Sequence, residues 1–488
     1  MKRKKLRPIW RKTVSAALAL TLLLPVSAPA WAADTAAAPA GSMASDRVKE
    51  VLDLLEKNHV SAPSADKLSD TAIKAMLGTL KDPYTDYFTD EELKQFTSSI
   101  ENQYVGIGVR IMYQEDGVYI AEVFDGSGAK EAGIQPGDLI VAVGGESVAG
   151  QKLDAVTPKI LGKPDTTVDL TIRRDGVDKP LTVKRTKVQI PTVVRKLFQP
   201  GIGYLKVTSF SSDAGALTSL ELSALKAQGI KSLIVDLRDN PGGLLDSALS
   251  IAKLFVKEGV LIHTNNRNNV DEPVSFSGGT TQNIPVYFLV NENSASASEV
   301  LTGALQDYGA IKVIGTKTFG KGSVQNLFPL KSGGAIKITI EEYLTPKLRK
   351  VNKVGLEPDV KVDGAVPQLI EALRLAGADH FDVTLDRRNV SVNGQSVQDL
   401  FELVRQNGHT LAPARLLGEL VGGQVVWNES SRTVQIVSKD GAVTYTPSGD
   451  AFLLKDGTSY VDLASFQQTF AQLSWTDDGT KATLSVGS

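Results

Sequence analysis

Apolar residues first recur at helical spacing. Val48, Val51, Leu52, Leu54 and Leu55 form one stripe, and Ile73, Met76, Leu77 and Leu80 form another. These predict a helical segment over residues 45–100, broken by a proline turn in KDPYTDYFT before DEELKQF. From Gln103 the period falls to two: YVGIGVRIMY and GVYIAEVF alternate as strands, and TVDLTIRRDGVDKPLTVKRTKV reads as a hairpin. Residues 101–188 therefore form a small β-rich domain with one short helix. Between 189 and 378, strand candidates such as IGYLKVTSF, KSLIVDLRDN, PVYFLV and AIKVIG alternate with amphipathic helices. That order implies an α/β core with a substantially parallel sheet.

A repeat follows in residues 379–488. NGHTLAPARLLGELVGGQVVWNESSRTVQIV is echoed by KDGTSYVDLASFQQTFAQLSWTDDGTKATLSV, with Gly408 matching Gly457 and Trp427 matching Trp475. Each unit reads strand, helix, strand, Trp-turn, strand. Neither unit is long enough to bury a good core alone, so the two are expected to pack together, with both tryptophans as partly buried anchors. The expected fold class is multidomain, mixing α/β and α+β.

The extreme N-terminus has its own pattern. MKRKKLRPIWRK is basic, VSAALALTLLLPV is apolar but shorter than the ~20 residues of a membrane span, and APAWA places Ala30 and Ala32 before a cut. Residues 1–32 thus read as a signal peptide cleaved after Ala32, with a retained anchor as the alternative, and 33–44 as a small-residue linker. The product is expected to be exported, extracellular or associated with the cell envelope. A net charge of −2 gives no overall field for nucleic acid. The absence of cysteine removes disulfides and thiolate chemistry.

Candidate chemistry centres on NENSASASEV. Ser296 and Glu299 fit an S-x-x-E helix start, which by itself explains both residues. A catalytic serine needs a base. His59, His263, His380 and His409 stand in no recognisable triad, and there is no G-x-S-x-G. Lysine is the other choice. GTKTFGKGSVQ sets Lys321 between glycines, with Gln325 four positions on, placed to orient the amine. Burial can bring a lysine from about 10.4 toward 7–8. GTKTFGKG also nearly matches a P-loop, but Gly322 replaces the Ser/Thr that would hold magnesium. SALK, Ser223 to Lys226, lies in a plain amphipathic helix. No cluster has metal-ligand spacing, so neither metal nor cofactor is expected.

Two resemblances organise these signals. AGIQPGDLIVAVGGESV, with the GIGV stretch Gly106, Ile107, Gly108 and Val109, resembles a PDZ domain, whose glycine loop holds a peptide's terminal carboxylate beside a sheet edge. NENSASASEVLTGALQDYG, GTKTFGKGSVQ, DLRDNPGG and GLEPDV together resemble the carboxyl-terminal processing peptidases of family S41, serine peptidases with a Ser-Lys dyad and a crotonase/ClpP-like core. The resemblance implies Ser296 as nucleophile, Lys321 as base and Gln325 as its orienting partner. The amides of Ala297 and of Gly242 or Gly243 would then form the oxyanion hole. It also implies protein or peptide substrates with apolar C-termini. The tail resembles copper-amine-oxidase N-terminal-like domains, without the residues for copper. For this tail the expectation is a separable module with a cell-envelope ligand, so that a chain stopped after Gly377 still cleaves peptides. A homo-oligomer through the N-terminal helical segment is also carried as an expected arrangement. Two other functions remain open: a non-catalytic envelope scaffold binding through PDZ and repeats, and a crotonase-like thioester enzyme.

Overall fold

A computed structural model describes residues 41–114, 117–386, 389–397, 403–447 and 449–487. The expected signal peptide and residues 33–40 of the expected linker lie outside the described residues. Residues 41–44 are helical rather than linker, because the first helix spans Gly41–Asn58. No helix among the described residues is long and apolar enough to cross a membrane.

The N-terminal segment is helical as the spacing predicts, with helices Gly41–Asn58, Ala65–Gly78 and Asp90–Ile100. The third begins at a capping box: Thr89 Oγ1 accepts from Glu92 N–H, and the Glu92 carboxylate accepts from Thr89 N–H at 2.9 Å. Inside KDPYTDYFT the chain also forms a short strand, Asp86–Phe88, pairing antiparallel with Ala335–Leu344. Three residues carry no period, so only the distant partner reveals this strand. It stitches the segment to the peptidase-like core, where Phe88, Phe96 and Ile100 pack with Leu244 and Leu327.

The core has two sheets. One has six strands in the order Val193–Phe198, Ile202–Val207, Ser232–Asp236, Val286–Val290, Lys312–Gly315, Val360–Lys361, parallel except for the first pair. Every residue of Ser232–Asp236 is buried, as expected for a strand covered on both faces. Leu233, Val235 and Phe288 face a core shared with the helices Leu245–Ala252 and Ala297–Asp307 and with Tyr343 of the second, antiparallel sheet. Ile234, Leu289 and Ile314 alternate to the other face, under the helix Ala365–Leu375.

The β-rich domain closes on itself. Its six-stranded sheet runs Val109–Gln114, Gly117–Val123, Leu139–Val143, Thr167–Arg174, Val177–Lys184, with Glu146–Ser147 beside the third strand. Its entry and exit form a two-stranded neck, Gln103–Gly106 against Thr186–Gln189.

Both C-terminal units have the strand–helix–strand–turn–strand order read from the sequence, and their first strands pair, Leu411 opposite Asp462. Trp475 packs on the core, but Trp427 is 37% exposed, with its indole N–H on Glu429. The expectation of two equivalent anchors therefore holds for only one. The tail is also less separate than expected. Leu369, Ile370 and Leu373 of the helix Ala365–Leu375 share one continuous apolar core with Leu416, Leu417, Ile436, Phe466 and Leu484.

Candidate active site

The turn after Val286–Val290 sets the serine. Asn291 Oδ1 accepts from the amides of Asp239 and Asn293, and Ser294 Oγ donates to Leu237 O at 2.8 Å. The chain then bends sharply. Ser296 sits at φ +53°, ψ −114°, immediately before the helix Ala297–Asp307. A non-glycine residue at such angles costs about 1–3 kcal/mol. The result is a strained strand-to-helix elbow without the usual glycine signature. Ser296 is fully buried and its Oγ has no hydrogen-bond partner. Gly242 lies hard against it: a Cβ there would come within 2.9 Å of both Ser296 Cβ and Ala297 N. Gly242 N–H donates to Asn240 Oδ1, and Gly243 packs on the Phe210 carbonyl.

Lys321 is brought close through Glu299. That carboxylate, wholly buried, accepts from Ser296 N–H at 3.0 Å and Lys321 N–H at 2.8 Å on one oxygen. Its other oxygen accepts from Gly320 N–H at 2.7 Å and the Thr318 hydroxyl at 2.5 Å. Burial pushes the Glu299 carboxyl up, while the four donors pull it back. Three of the four partners are backbone N–H groups, which can only donate, and the fourth is a hydroxyl. Helix capping was only part of what Glu299 does. The near-P-loop amides hold the chain's own carboxylate, which leaves no phosphate cradle.

Tyr343, from the strand Ala335–Leu344, completes the clamp. Its hydroxyl faces Lys321 O at 2.8 Å and Ser296 O at 3.3 Å. The amides of residues 296 and 321 thus meet one side chain, and their carbonyls meet another. Lys321 itself is 1% exposed. Desolvation, reinforced by the charge of Lys337, lowers it to about 7, against the opposing pull of Glu299 and Asp82. The Tyr84 ring lies over its ammonium, 4.8 Å from centroid to Nζ. Gln325 is buried on the next strand. Its Nε2 donates to Ser323 Oγ and Thr339 Oγ1, and its Oε1 has no partner. Sequence reading missed Tyr343 and Tyr84; neither stands in a motif with the serine or lysine.

The glycine loop of the β-rich domain lies at a second concavity. Ile107, Gly108 and Val109 line a 410 Å³ cavity with Tyr104, Phe124, Ile160 and Leu161, while Gly106 sits just outside on the neck strand. Ile190 and Thr208 of the peptidase-like core also line it. Val109–Gln114 is the edge strand of its sheet, so its outer side is open to strand addition. The remaining candidates scatter. His263 pairs with Asp271 at 3.0 Å on a hairpin, and Ser223 Oγ donates to Ser219 O on its own helix. Among the described residues no cluster of His, Asp or Glu could hold a metal.

Comparison with known proteins gives four family matches. Residues 201–362 match the model of peptidase family S41, 105–184 the PDZ domain, 29–92 the activating protease CtpB N-terminal domain, and 391–466 the copper amine oxidase N-terminal domain. A CtpA-like serine protease of Staphylococcus aureus is 37% identical over 322 residues, covering 65% of this chain and 64% of the relative. The Staphylococcus epidermidis counterpart is 38% identical over 320 residues, 65% of each. The chain therefore spans slightly less than two thirds of these relatives' length. Among solved structures, the photosystem II D1 C-terminal processing protease is 28% identical with a TM-score of 0.45, covering 68% of this chain and 97% of that one. Residues 201–362 are thus similar to peptidase family S41, and residues 105–184 to a PDZ domain.

Proposed function

We propose that this chain is an exported serine endopeptidase that cuts proteins near their C-terminus with a Ser296–Lys321 dyad. The observation that carries the reading is the double clamp: Glu299 and Tyr343 fix a dry serine and a dry lysine on one backbone frame. Lys321, as the free amine, takes the proton from Ser296 Oγ. The oxygen attacks the scissile carbonyl, and the ammonium returns that proton to the leaving amine. Water then repeats the sequence on the acyl-enzyme. Ala297 N–H at the helix start is one oxyanion donor. Of the two glycines, Gly243 is the better second donor, because Asn240 already accepts from Gly242. Gln325, whose Oε1 has no partner in the resting structure, is assigned the role of accepting from the lysine head.

The substrate's C-terminus enters the 410 Å³ cavity, its carboxylate on the loop Gly106–Val109 and its last apolar side chain among Phe124, Ile160 and Leu161. Residues 1–32 act as the export signal. The exposed stripe Val48, Val51, Leu54 and Leu55 supports a homo-oligomer through the N-terminal helices. The repeats over 379–488 are assigned a cell-envelope ligand, and the expected domain boundaries are kept except that residues 41–44 belong to the first helix.

Wild type should hydrolyse peptides with free apolar C-termini, while Ser296→Ala and Lys321→Arg, both folded, do not. Arginine keeps the charge but cannot give up its proton. Retained turnover by Lys321→Arg would sink the dyad and favour the scaffold or another base. Activity should rise with pH through about 7, since below that value Lys321 is an ammonium without a lone pair.

A further inference from the structure

The lysine's chamber has a wall that comes from outside the S41 domain. Tyr84 belongs to KDPYTDYFT, in the N-terminal segment, over 230 residues before Lys321 in sequence. Its ring covers the Lys321 ammonium at 4.8 Å. It is half-buried, so one part faces the amine and another faces solvent. The loop beneath it is braced. Asp82 accepts from Tyr84 N–H at 3.0 Å and from the Thr85 hydroxyl at 2.6 Å. Thr85 Oγ1 in turn accepts from Thr339 N–H at 3.1 Å, and Thr339 Oγ1 accepts from Gln325 Nε2. The strand Asp86–Phe88 then pairs along Ala335–Lys337. One continuous set of hydrogen bonds thus runs from the loop to Gln325.

We propose that the loop Lys81–Thr89 completes the active site and that Tyr84 is a positioning residue, sealing Lys321 from water so that its amine stays uncharged. The inference rests on the Ser-Lys reading above.

The other charges facing the amine are Glu299 on the helix Ala297–Asp307, Asp82 on the loop and Lys337 on the strand Ala335–Leu344; the phenol of Tyr343 lies against the backbone of the same residue. Glu299 and Asp82 favour the ammonium, and only Lys337 opposes it. Dryness is therefore the dominant reason for a free amine near neutral pH. The Tyr84 ring acts in two directions. Its π face attracts the ammonium, while its bulk excludes the water that would stabilise it far better. Desolvation of a buried lysine is the larger effect, so removing the ring should favour the ammonium.

The experiment is the pH dependence of kcat/KM for peptide cleavage by the full chain as wild type, Tyr84→Ala, Tyr84→Leu and Tyr84→Phe. In Tyr84→Ala the acid limb should move up by about one pH unit or more. That reads as a loss of ~10-fold or more at pH 7, largely recovered at pH 9. Tyr84→Leu keeps part of the apolar cover, should shift less, and carries the test if the alanine chain does not fold. Tyr84→Phe should keep the limb in place. An unmoved limb in both Tyr84→Ala and Tyr84→Leu, or in Tyr84→Leu alone if the alanine chain does not fold, would overturn the proposal, whatever happens to kcat. So would a shift in Tyr84→Phe equal to that of Tyr84→Ala. Wild-type cleavage that persists in Lys321→Arg would overturn the dyad itself; Lys321-dependent cleavage with an unmoved limb removes only the role of Tyr84.

Discussion

The PDZ domain and the C-terminal repeats both attach to the peptidase core, but by different physics. The PDZ core, with Val118, Ile120, Ile140, Leu170 and Val183, is drawn wholly from residues 107–183. At its junction with the peptidase core lie the 410 Å³ cavity and a second of 240 Å³, the latter lined both by charged groups such as Arg110, Glu122 and Lys206 and by apolar ones such as Phe124, Phe198 and Leu369. The repeats have no such separation. Their apolar residues merge with the helix Ala365–Leu375 and, through it, with the parallel sheet. A shared apolar core cannot open without losing stability. The PDZ thus has a core of its own, while the repeats share theirs with the helix Ala365–Leu375.

The strongest way to break this comparison is truncation. A chain stopped after Gly377 strips the cover from Leu369, Ile370 and Leu373, so it should be insoluble or unfolded and should not cleave peptides. This reverses the expectation of a separable tail. Replacing residues 107–184 by a short linker should instead leave a peptidase core with a cooperative thermal transition. A soluble, active chain ending at Gly377 would refute the shared core as a stabilising feature.

Single substitutions sharpen the contrast. Leu417→Ala, at a fully buried position in the shared core, should cost about 2–5 kcal/mol and lower the main unfolding transition. Leu170→Ala should cost a similar amount but shift only a PDZ transition, separable by calorimetry. A smaller effect is expected at the elbow. Ser296→Gly, which accepts φ +53° readily, should be more stable than Ser296→Ala by roughly 1 kcal/mol in denaturant titration, and both should be inactive.

The smallest effect concerns pH at the fixed junction. Arg374 bridges Glu371 at 2.6 Å and Glu419 at 2.5 Å. Burial pushes the Glu419 carboxyl up, ahead of the lowering by Arg374. A carboxyl raised in the folded state binds its proton more tightly there than when unfolded. Its stabilising contribution is therefore complete below the ordinary carboxylate range and is lost as pH rises through the raised value. Glu419→Gln should flatten that decline in Tm between acid and neutral pH; an unchanged slope would remove Glu419 as its source.

Legibility followed distance along the chain. The helix after Ser296, the parallel sheet and the internal repeat were readable because periodicity is local. Ser296, Lys321 and Gln325 were readable as motifs; the backbones of Ser296 and Lys321 meet at Glu299 and Tyr343, while Gln325 bonds Ser323 and Thr339. The clamp was not, since its bonds span 21 and 22 positions for Glu299 and 47 for Tyr343. Tyr84 and the strand Asp86–Phe88 looked like a proline turn because their partners lie at Lys321 and Ala335–Lys337. The sequence reading singled out no helix at Ala365–Leu375, whose apolar face is covered by the C-terminal repeats.

The double clamp also bears on how a resting enzyme could be held silent. With one carboxylate on both amides and one phenol across both carbonyls, the serine and lysine backbones share a rigid frame, and their relative freedom is already lost before substrate arrives. Little reorganisation is left for binding to drive at the dyad. If Ser296 and Lys321 are the dyad proposed above, control would fall on access to Ser296 rather than on the ordering of the pair.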